Sequence, residues 1–216
     1  LWIIALLLLM VTPVACGDDD DDGGGEPVPV SVALDWFPWA QHAPLYLALE
    51  RGYFEDEGLS VDFHVPANPE DGLKLVGSGE EDFAISYQAD VLIARGEGIQ
   101  VKSVAALVQH PLNSIMSLEG AGISRPADLA GKKVGYAGLP SDEALVKAVL
   151  ESDGLTLDDI EMVNVGFSLA PALVAGQVDA VIGAYYVYES FQIENESGQT
   201  VSVLPLIEWG VPDYYE

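Results

Sequence analysis

Apolar and polar residues alternate in the first part of the chain that carries a regular pattern. Residues 28–34 place valine or leucine at every second position, which predicts a half-buried strand. Residues 41–51 carry leucines one helical turn apart, and Gly52 follows where a left-handed residue ends a helix. Residues 59–65 alternate again. A strand, a helix and a strand within fewer than forty residues predict a right-handed βαβ unit with parallel strands.

The alternation of predicted strands and helices continues along the rest of the chain. Further strands are predicted at residues 83–87, 101–107, 114–118, 133–136, 161–165 and 180–185. Further helices are predicted at residues 69–76, 89–95, 126–129 and 171–174, and from Ser141 onward. The pattern restarts after Pro111, so we expect two α/β lobes.

An internal repeat supports two similar lobes. Residues 78–86 and 175–183 share the order small residue, glycine, two variable residues, aspartate and apolar strand. The glycine is expected to end a helix, and the strand to point its C-terminal end at a cleft where α/β sheets bind ligands. Two lobes that face one cleft predict a hinged clamp. The alternative is that this order is a common local way to join a helix to a strand.

The start of the chain predicts a membrane anchor. Residues 1–11 are apolar but too few to cross a bilayer core, and small residues then lead to Cys16, the only cysteine, before five aspartates. This pattern predicts a lipoprotein signal at residues 1–16, lipidation of Cys16, and a disordered acidic and glycine-rich tether at residues 17–26. The protein is then expected to be extracytoplasmic and lipid-anchored. The alternative is a buried or incidental thiol.

Composition excludes several classes of function. The formal net charge is −27, from 35 acidic and 8 basic residues. Nucleic acid is therefore not an expected partner, because a phosphate-binding surface needs clustered lysine and arginine. The chain contains only three histidines and lacks the motifs of zinc proteases, serine hydrolases and phosphate-binding loops. We expect no metal, no cofactor and no catalysis.

Aromatic and polar residues gather at predicted strand ends, in the stretches 35–39, 86–88 and 185–189. Aromatic rings stack on a flat ligand while polar groups bind its edge. The candidate ligand-binding residues are Asp35, Trp36, His42, Ser86, Tyr87, Gln88, Gly138, Ser141, Tyr186 and Glu189. For any one of the aromatic side chains, and for His42, core packing is the alternative. Glu189 is either a solvated acid in a first helical turn or a buried acceptor for a ligand's amino group, and we favour the second.

Longer motifs occur in an order that resembles a known family. They are residues 34–38, 51–59, 135–143, 178–183 and 209–212. Together they resemble the substrate-binding lipoproteins of ABC importers, most closely the branch that binds thiamine pyrimidine precursors. The resemblance runs from about Val30 to Glu216 and implies the two-lobed type II periplasmic-binding-protein fold. It implies lobe 1 at residues 27–110, lobe 2 at 111–208 and a crossover back to lobe 1 from 209–216, with truncation leaving the first lobe incomplete.

The same resemblance implies a non-catalytic protein that binds an aminopyrimidine and delivers it to a membrane permease. A pyrimidine synthase is the second hypothesis, because eukaryotic synthases resemble the same sequence. Those enzymes use a lysine that holds pyridoxal phosphate, a donor histidine and a cysteine-rich segment, whereas an ungapped match places Ser86 and Asp90 at the first two positions. The third hypothesis is another solute, such as a sulfonate, nitrate or a flavin. No basic residue flanks the aromatic stretches, which disfavours the oxyanions.

Overall fold

The computed structural model describes residues 25–215, which form two α/β lobes with separate sheets. The first lobe has a sheet of three parallel strands in the order β2-β1-β3. They are β1 (Val28–Ala33), β2 (Leu59–His64) and β3 (Phe83–Ala84). The predicted βαβ unit is therefore present, with the alternating segment near the chain start as the central strand.

Four helices pack around the first sheet. They are α1 (Ala43–Glu50), α2 (Tyr53–Asp56), α3 (Gly72–Ser78) and α4 (Gln88–Gly96). Gly52 follows α1 with φ 72°, the left-handed conformation that glycine adopts without steric penalty. The chain thus turns directly from α1 into α2, at the position that the sequence predicts.

The prediction of a strand at residues 101–107 is wrong, because the structure has no strand there. The strand predicted at 83–87 is present but has two residues. A groove of about 330 Å³ separates residues 100–105 from residues 82–86. An extended segment forms a ladder only beside a partner about 4.8 Å away. Nothing in the described part of the chain fills the groove, so apolar alternation alone does not produce a strand at residues 101–107.

The second lobe has a five-stranded sheet in the order β6-β5-β7-β4-β8. Its strands are β4 (Asn113–Leu118), β5 (Lys133–Tyr136), β6 (Glu161–Asn164), β7 (Ala180–Tyr185) and β8 (Val201–Pro205). Its helices are α5 (Asp142–Ser152), α6 (Leu169–Val174) and α7 (Glu189–Ser197). β5 runs parallel to β6 and β7, whereas β4 runs antiparallel to β7 and β8. The sequence patterns did not predict β8 or α7.

The two lobes share part of one hydrophobic core. Trp36 follows β1 of the first lobe, yet it packs in a cluster with Met116, Leu169 and Ile193 of the second lobe. Only 6% of its surface is exposed. A second cluster, around Ile115 and its neighbours in β5, β7 and α5, is formed by the second lobe together with Val211 of the connection that follows it. The lobes are therefore in direct contact on either side of the cleft.

The two connections between the lobes run side by side. His110 Nδ1 of the first connection lies 2.9 Å from Asp213 Oδ2 of the second. The second connection returns to α4, where the Gln88 N–H donates to the Tyr215 carbonyl at 3.2 Å. The Tyr215 N–H in turn donates to Gln88 Oε1 at 3.1 Å. Polar contacts thus link both connections to each other and to the first lobe.

The predicted signal at residues 1–16, with Cys16, lies outside the described residues. So does the predicted tether at 17–26, apart from its last two residues, which are exposed. Across residues 25–215 we find no helix with the length and apolar character needed to cross a bilayer.

Candidate functional site

Asp35, directly after β1, is the centre of a buried hydrogen-bond network. Its Oδ1 lies 2.7 Å from His42 Nε2, and its Oδ2 accepts the Tyr87 hydroxyl at 2.8 Å. His42 is fully buried, and its Nδ1 accepts the Trp39 backbone N–H at 3.2 Å. Because Nδ1 is an acceptor, the ring proton is assigned to Nε2, which donates to Asp35. Both carboxylate oxygens are therefore held in fixed directions at the end of the strand.

Glu189 faces Asp35 from the other lobe, at the first residue of α7. Only 3% of its surface is exposed, and its Oε2 accepts the Tyr185 backbone N–H at 2.8 Å. Burial raises the pKa of Glu189 to about 8, and the negative charge of Asp35 adds to the shift. At neutral pH the side chain is therefore mainly a neutral carboxylic acid, which both donates and accepts hydrogen bonds.

Two further carboxyl groups meet at the start of α5. Asp142 Oδ2 accepts the backbone N–H groups of Gly138 at 2.9 Å and Leu139 at 2.7 Å. Burial raises the pKa of Asp142 to about 7, with a smaller contribution from the charge of Asp90. Asp90, from α4 of the first lobe, accepts the Ser141 backbone N–H at 2.8 Å on its Oδ1. Burial also raises the pKa of Asp90, although its hydrogen bonds to Ser141 oppose that effect.

Gly138 is required by the geometry of the turn before α5. Its φ is 91°, and an added Cβ would lie 2.6 Å from Asn164 Nδ2. Glycine alone avoids both the backbone strain and the clash. The turn can therefore direct its N–H groups at Asp142.

A cavity of about 20 Å³ lies between these elements and has walls from both lobes. It is lined by Asp35, Trp36, Trp39, Gln41, Tyr87, Ala137, Leu139, Gly183, Tyr185 and Glu189. Trp36 Nε1, a donor, and Gln41 Oε1, an acceptor, are buried without a partner among the described residues. Unpaired buried polar atoms are uncommon in native proteins, so these two atoms are candidate contacts for a ligand.

Aromatic rings bridge the lobes at this cavity. Trp39 of the first lobe stacks on Tyr188 of the second, with ring centroids 3.9 Å apart and planes inclined by 22°. Trp36 makes an edge contact with Phe167 at 4.8 Å. Both contacts join a tryptophan of the first lobe that lines the cavity to an aromatic ring of the second lobe.

The structure brings most of the predicted residues to this cleft. Asp35, Trp36, Tyr87 and Glu189 line the 20 Å³ cavity, and His42 supports Asp35 from behind. Ser86 lines a neighbouring cavity of about 40 Å³, and the backbones of Gly138 and Ser141 bind the two aspartates. Gln88 instead bonds the Tyr215 backbone. Tyr186 is 41% exposed, and Tyr188 takes the place in the aromatic contacts that we expected for it.

Other residues of the cleft were not among the candidates. They are Trp39, Gln41, Asp90, Asp142, Phe167, Tyr185 and Tyr188. Three of them lie in the aromatic stretches 35–39 and 185–189, so the signal was present but not resolved to single positions. Asp90 and Asp142 become functional candidates only when the fold buries them, which no local pattern indicates.

The electrostatics of the cleft favour donor or cationic ligands. Asp35, Asp90, Asp142 and Glu189 are all buried, whereas no lysine or arginine among the described residues is buried. An anion in the 20 Å³ cavity would therefore meet Asp35 and Glu189 with no lysine or arginine in the lining. Within residues 25–215, no group of three or more histidine, cysteine or acidic side chains is arranged to hold a metal ion.

Comparison with known proteins identifies the family of the chain. Residues 39–216 match the family described as NMT1/THI5 like. The chain belongs to that family. The resemblance inferred from the sequence motifs is thus confirmed at the level of the family.

Curated relatives in the family include both binding proteins and enzymes. The formylaminopyrimidine-binding protein of Halalkalibacterium halodurans is 42% identical over 87% of this chain and 56% of its own length. A 4-amino-5-hydroxymethyl-2-methylpyrimidine phosphate synthase of Saccharomyces cerevisiae is 33% identical over 71% of this chain and 45% of its own. The chain spans about half the length of these relatives.

Solved structures confirm the predicted fold class. The alkanesulfonate-binding protein of Xanthomonas axonopodis pv. citri, bound to MOPS, superimposes with a TM-score of 0.67. The match covers 88% of this chain and 65% of that structure, at 20% identity. At such identity the likeness establishes the two-lobed type II periplasmic-binding-protein fold and nothing about the ligand.

Proposed function

We propose that this protein is the extracytoplasmic solute-binding component of an ABC importer and that its ligand is a thiamine pyrimidine precursor carrying an amino group. The named ligand of the Halalkalibacterium halodurans relative supports the ligand class. The two-lobed fold supports capture of a small solute between domains that close by hinge motion. A permease partner and a lipid anchor at Cys16 remain predictions from the sequence.

Glu189 is the observation that carries the proposal. A 4-aminopyrimidine presents an exocyclic N–H donor and a ring-nitrogen acceptor side by side in one plane. The neutral acid of Glu189 offers the matching pair, because its carbonyl oxygen accepts the amine proton and its O–H donates to the ring nitrogen. One side chain can therefore bind both atoms of the ring edge without burying a net charge.

The other groups of the cavity fit the rest of a polar ring. Trp36 Nε1 and Gln41 Oε1 are unused among the described residues and offer one donor and one acceptor. The cavity of about 20 Å³ has room for water-sized groups and not for a ring. The stack of Trp39 on Tyr188 must therefore separate when a ligand enters, and both rings then become available to a planar ligand.

The alternatives are less well supported by the side chains present. Sulfonate or nitrate would have to enter a cleft with four buried carboxyl groups and no buried basic residue among those described. Synthase activity like that of the Saccharomyces cerevisiae relative needs a lysine that holds the cofactor. In the ungapped match to those enzymes, this chain has Ser86 at the position of that lysine.

Calorimetric titration of the full-length protein tests the proposal. The probes are 4-amino-5-hydroxymethyl-2-methylpyrimidine, its formylaminomethyl analogue and an alkanesulfonate. We expect saturable one-to-one binding of at least one pyrimidine and none of the sulfonate. Binding of the sulfonate alone, or formation of a pyrimidine from added pyridoxal phosphate, would overturn the proposed function.

A further inference from the structure

A second cavity, of about 40 Å³, adjoins the candidate site. Asp35, Tyr87 and Leu139 line both cavities, so the two spaces share a wall. The second cavity continues between α3 and α4, and Asp90 lies in its lining. Its volume is enough for a small polar group, comparable with one or a few water molecules. Once the Trp39–Tyr188 stack separates to admit a ring, a short substituent of that ring has this space beside it.

Asp90 offers an unused hydrogen-bond acceptor at this point. It is 2% exposed, and its Oδ1 accepts the Ser141 N–H at 2.8 Å, while its Oδ2 is buried without a partner among the described residues. Lys74 also lines the cavity, but it is more than half exposed and lies 3.9 Å from Glu70 and 3.5 Å from Asp71. A buried carboxylate oxygen without a donor is unfavourable, and a ligand donor would relieve it.

We propose that Asp90 selects among aminopyrimidines by accepting, on Oδ2, a hydrogen bond from an N–H or O–H group of the substituent next to the ring's amino group. This inference rests on the proposed function and names the ligand class within it. An alkyl substituent of similar size would leave the oxygen unpaired. Selection then comes from the cost of leaving Asp90 Oδ2 without a hydrogen-bond donor when the wrong ligand is bound.

The selecting group is oriented by closure of the cleft. Asp90 belongs to the first lobe and Ser141 to the second, so the bond from the Ser141 N–H to Oδ1 spans the lobes. That bond occupies Oδ1, which leaves Oδ2 of a residue that lines the second cavity as the oxygen without a donor. The substituent is therefore tested after the ring has been captured, when the lobes come together around it and the Ser141 N–H meets Asp90 again.

Titration of two ligands against wild type and a variant of the full-length protein distinguishes a role of Asp90 in ligand selection from a role in supporting the fold. The ligands are 4-amino-5-aminomethyl-2-methylpyrimidine, whose ammonium group only donates, and 4-amino-2,5-dimethylpyrimidine, which has no donor at that position. The variant is Asp90→Asn, which keeps an acceptor for the Ser141 N–H and replaces Oδ2 by an amide donor. Asp62→Asn, at an exposed position of β2, is the matched control.

We expect wild type and Asp62→Asn to bind the aminomethyl compound at least about tenfold more tightly than the dimethyl compound. Asp90→Asn should lose this preference while its affinity for the dimethyl compound stays within about threefold of wild type. Equal affinities in wild type, or a preference that survives in Asp90→Asn, would overturn the inference alone. Loss of both ligands in Asp90→Asn would also overturn it, because Asp90 then supports closure. Failure of wild type to bind either pyrimidine would instead overturn the proposed function and this inference with it.

Discussion

Two histidine–aspartate pairs in this protein have nearly the same length and opposite surroundings. His42 lies 2.7 Å from Asp35 in the cleft, where their side chains are 0% and 4% exposed. His110 lies 2.9 Å from Asp213 at the connections between the lobes, where the exposures are 74% and 58%. Water competes for the second pair and is excluded from the first. The contact distance therefore does not predict which pair contributes more to stability. Burial, and the number of other groups that hydrogen-bond to the pair, are the better guides.

The largest expected effect follows from removing the carboxylate of the buried pair. Asp35→Ala leaves the buried His42 ring N–H without its acceptor and removes one hydrogen bond of the Tyr87 hydroxyl. We expect the free energy of unfolding to fall by about 2–4 kcal/mol, from the penalty of one unpaired buried donor and the loss of a second hydrogen bond. Chemical denaturation measures this loss, with Asp62→Ala at an exposed position of the same lobe as the control. Equal stability of the two variants would mean that water reaches the network.

The next effect contrasts buried and exposed glutamates of one helix. Glu189→Ala removes the paired donor and acceptor proposed for the ring edge, so we expect aminopyrimidine affinity to fall about tenfold to a hundredfold. Glu189→Gln keeps one donor and one acceptor without charge, and should retain affinity within about fivefold. Glu196→Ala, at an exposed position of α7, should not change the affinity in the same titration. Unchanged affinity in Glu189→Ala would remove this residue from the site.

Burial also makes the stability of the protein depend on pH, through the carboxyl groups of Glu189 and Asp142. The pKa of Glu189 is raised from 4.5 to about 8 and that of Asp142 from 3.8 to about 7. The folded state then holds more protons than the unfolded state between about pH 4 and pH 8. These groups therefore contribute stability at low pH that is lost as pH rises through their folded pKa values.

Thermal unfolding between pH 5 and pH 8 tests this sign. Glu189→Gln removes one of the two titrating groups, so we expect its melting temperature to fall less steeply with increasing pH than that of wild type. Each fully titrating group changes stability by at most about 1.4 kcal/mol per pH unit. A slope identical to that of wild type would show that the Glu189 carboxyl group does not titrate in this window.

The smallest effect belongs to the exposed pair. His110→Ala removes the contact with Asp213, and we expect the free energy of unfolding to change by less than about 0.5 kcal/mol. Denaturation at low and high salt measures it, since any contribution should decrease with ionic strength. A loss as large as that of Asp35→Ala would contradict the ranking by burial.

The sequence predicted the local elements that depend on a strong period. Alternation identified β1 and β2, and Gly52 marked the end of α1. The prediction at residues 101–107 was wrong because a strand also needs a neighbour, which alternation does not encode. α7 was not predicted because its sequence is largely polar and lacks an apolar helical period; Ile193 is its buried apolar residue.

The sequence predicted which segments form the candidate site, but it did not predict which side chains of those segments face the cleft. The aromatic stretch before α7 was identified, yet Tyr188, and not Tyr186, stacks on Trp39. Which ring points into the cleft depends on the turn between β7 and α7, a tertiary property. The protonation of Glu189 depends likewise on burial by the opposite lobe. Asp90 and Asp142 belong to separate lobes and become neighbours only in the closed fold.

Contact between the lobes has a consequence for the rates of ligand exchange. Trp36 is inserted in the second lobe's core, and the closed cleft is too small for a ring. Ligand must therefore enter an open form, and the association rate scales with the fraction of molecules that are open. Dissociation waits for the same opening, so residence time follows the lifetime of the closed state. Weakening the Trp39–Tyr188 stack, which must separate before a ligand enters, would therefore accelerate capture.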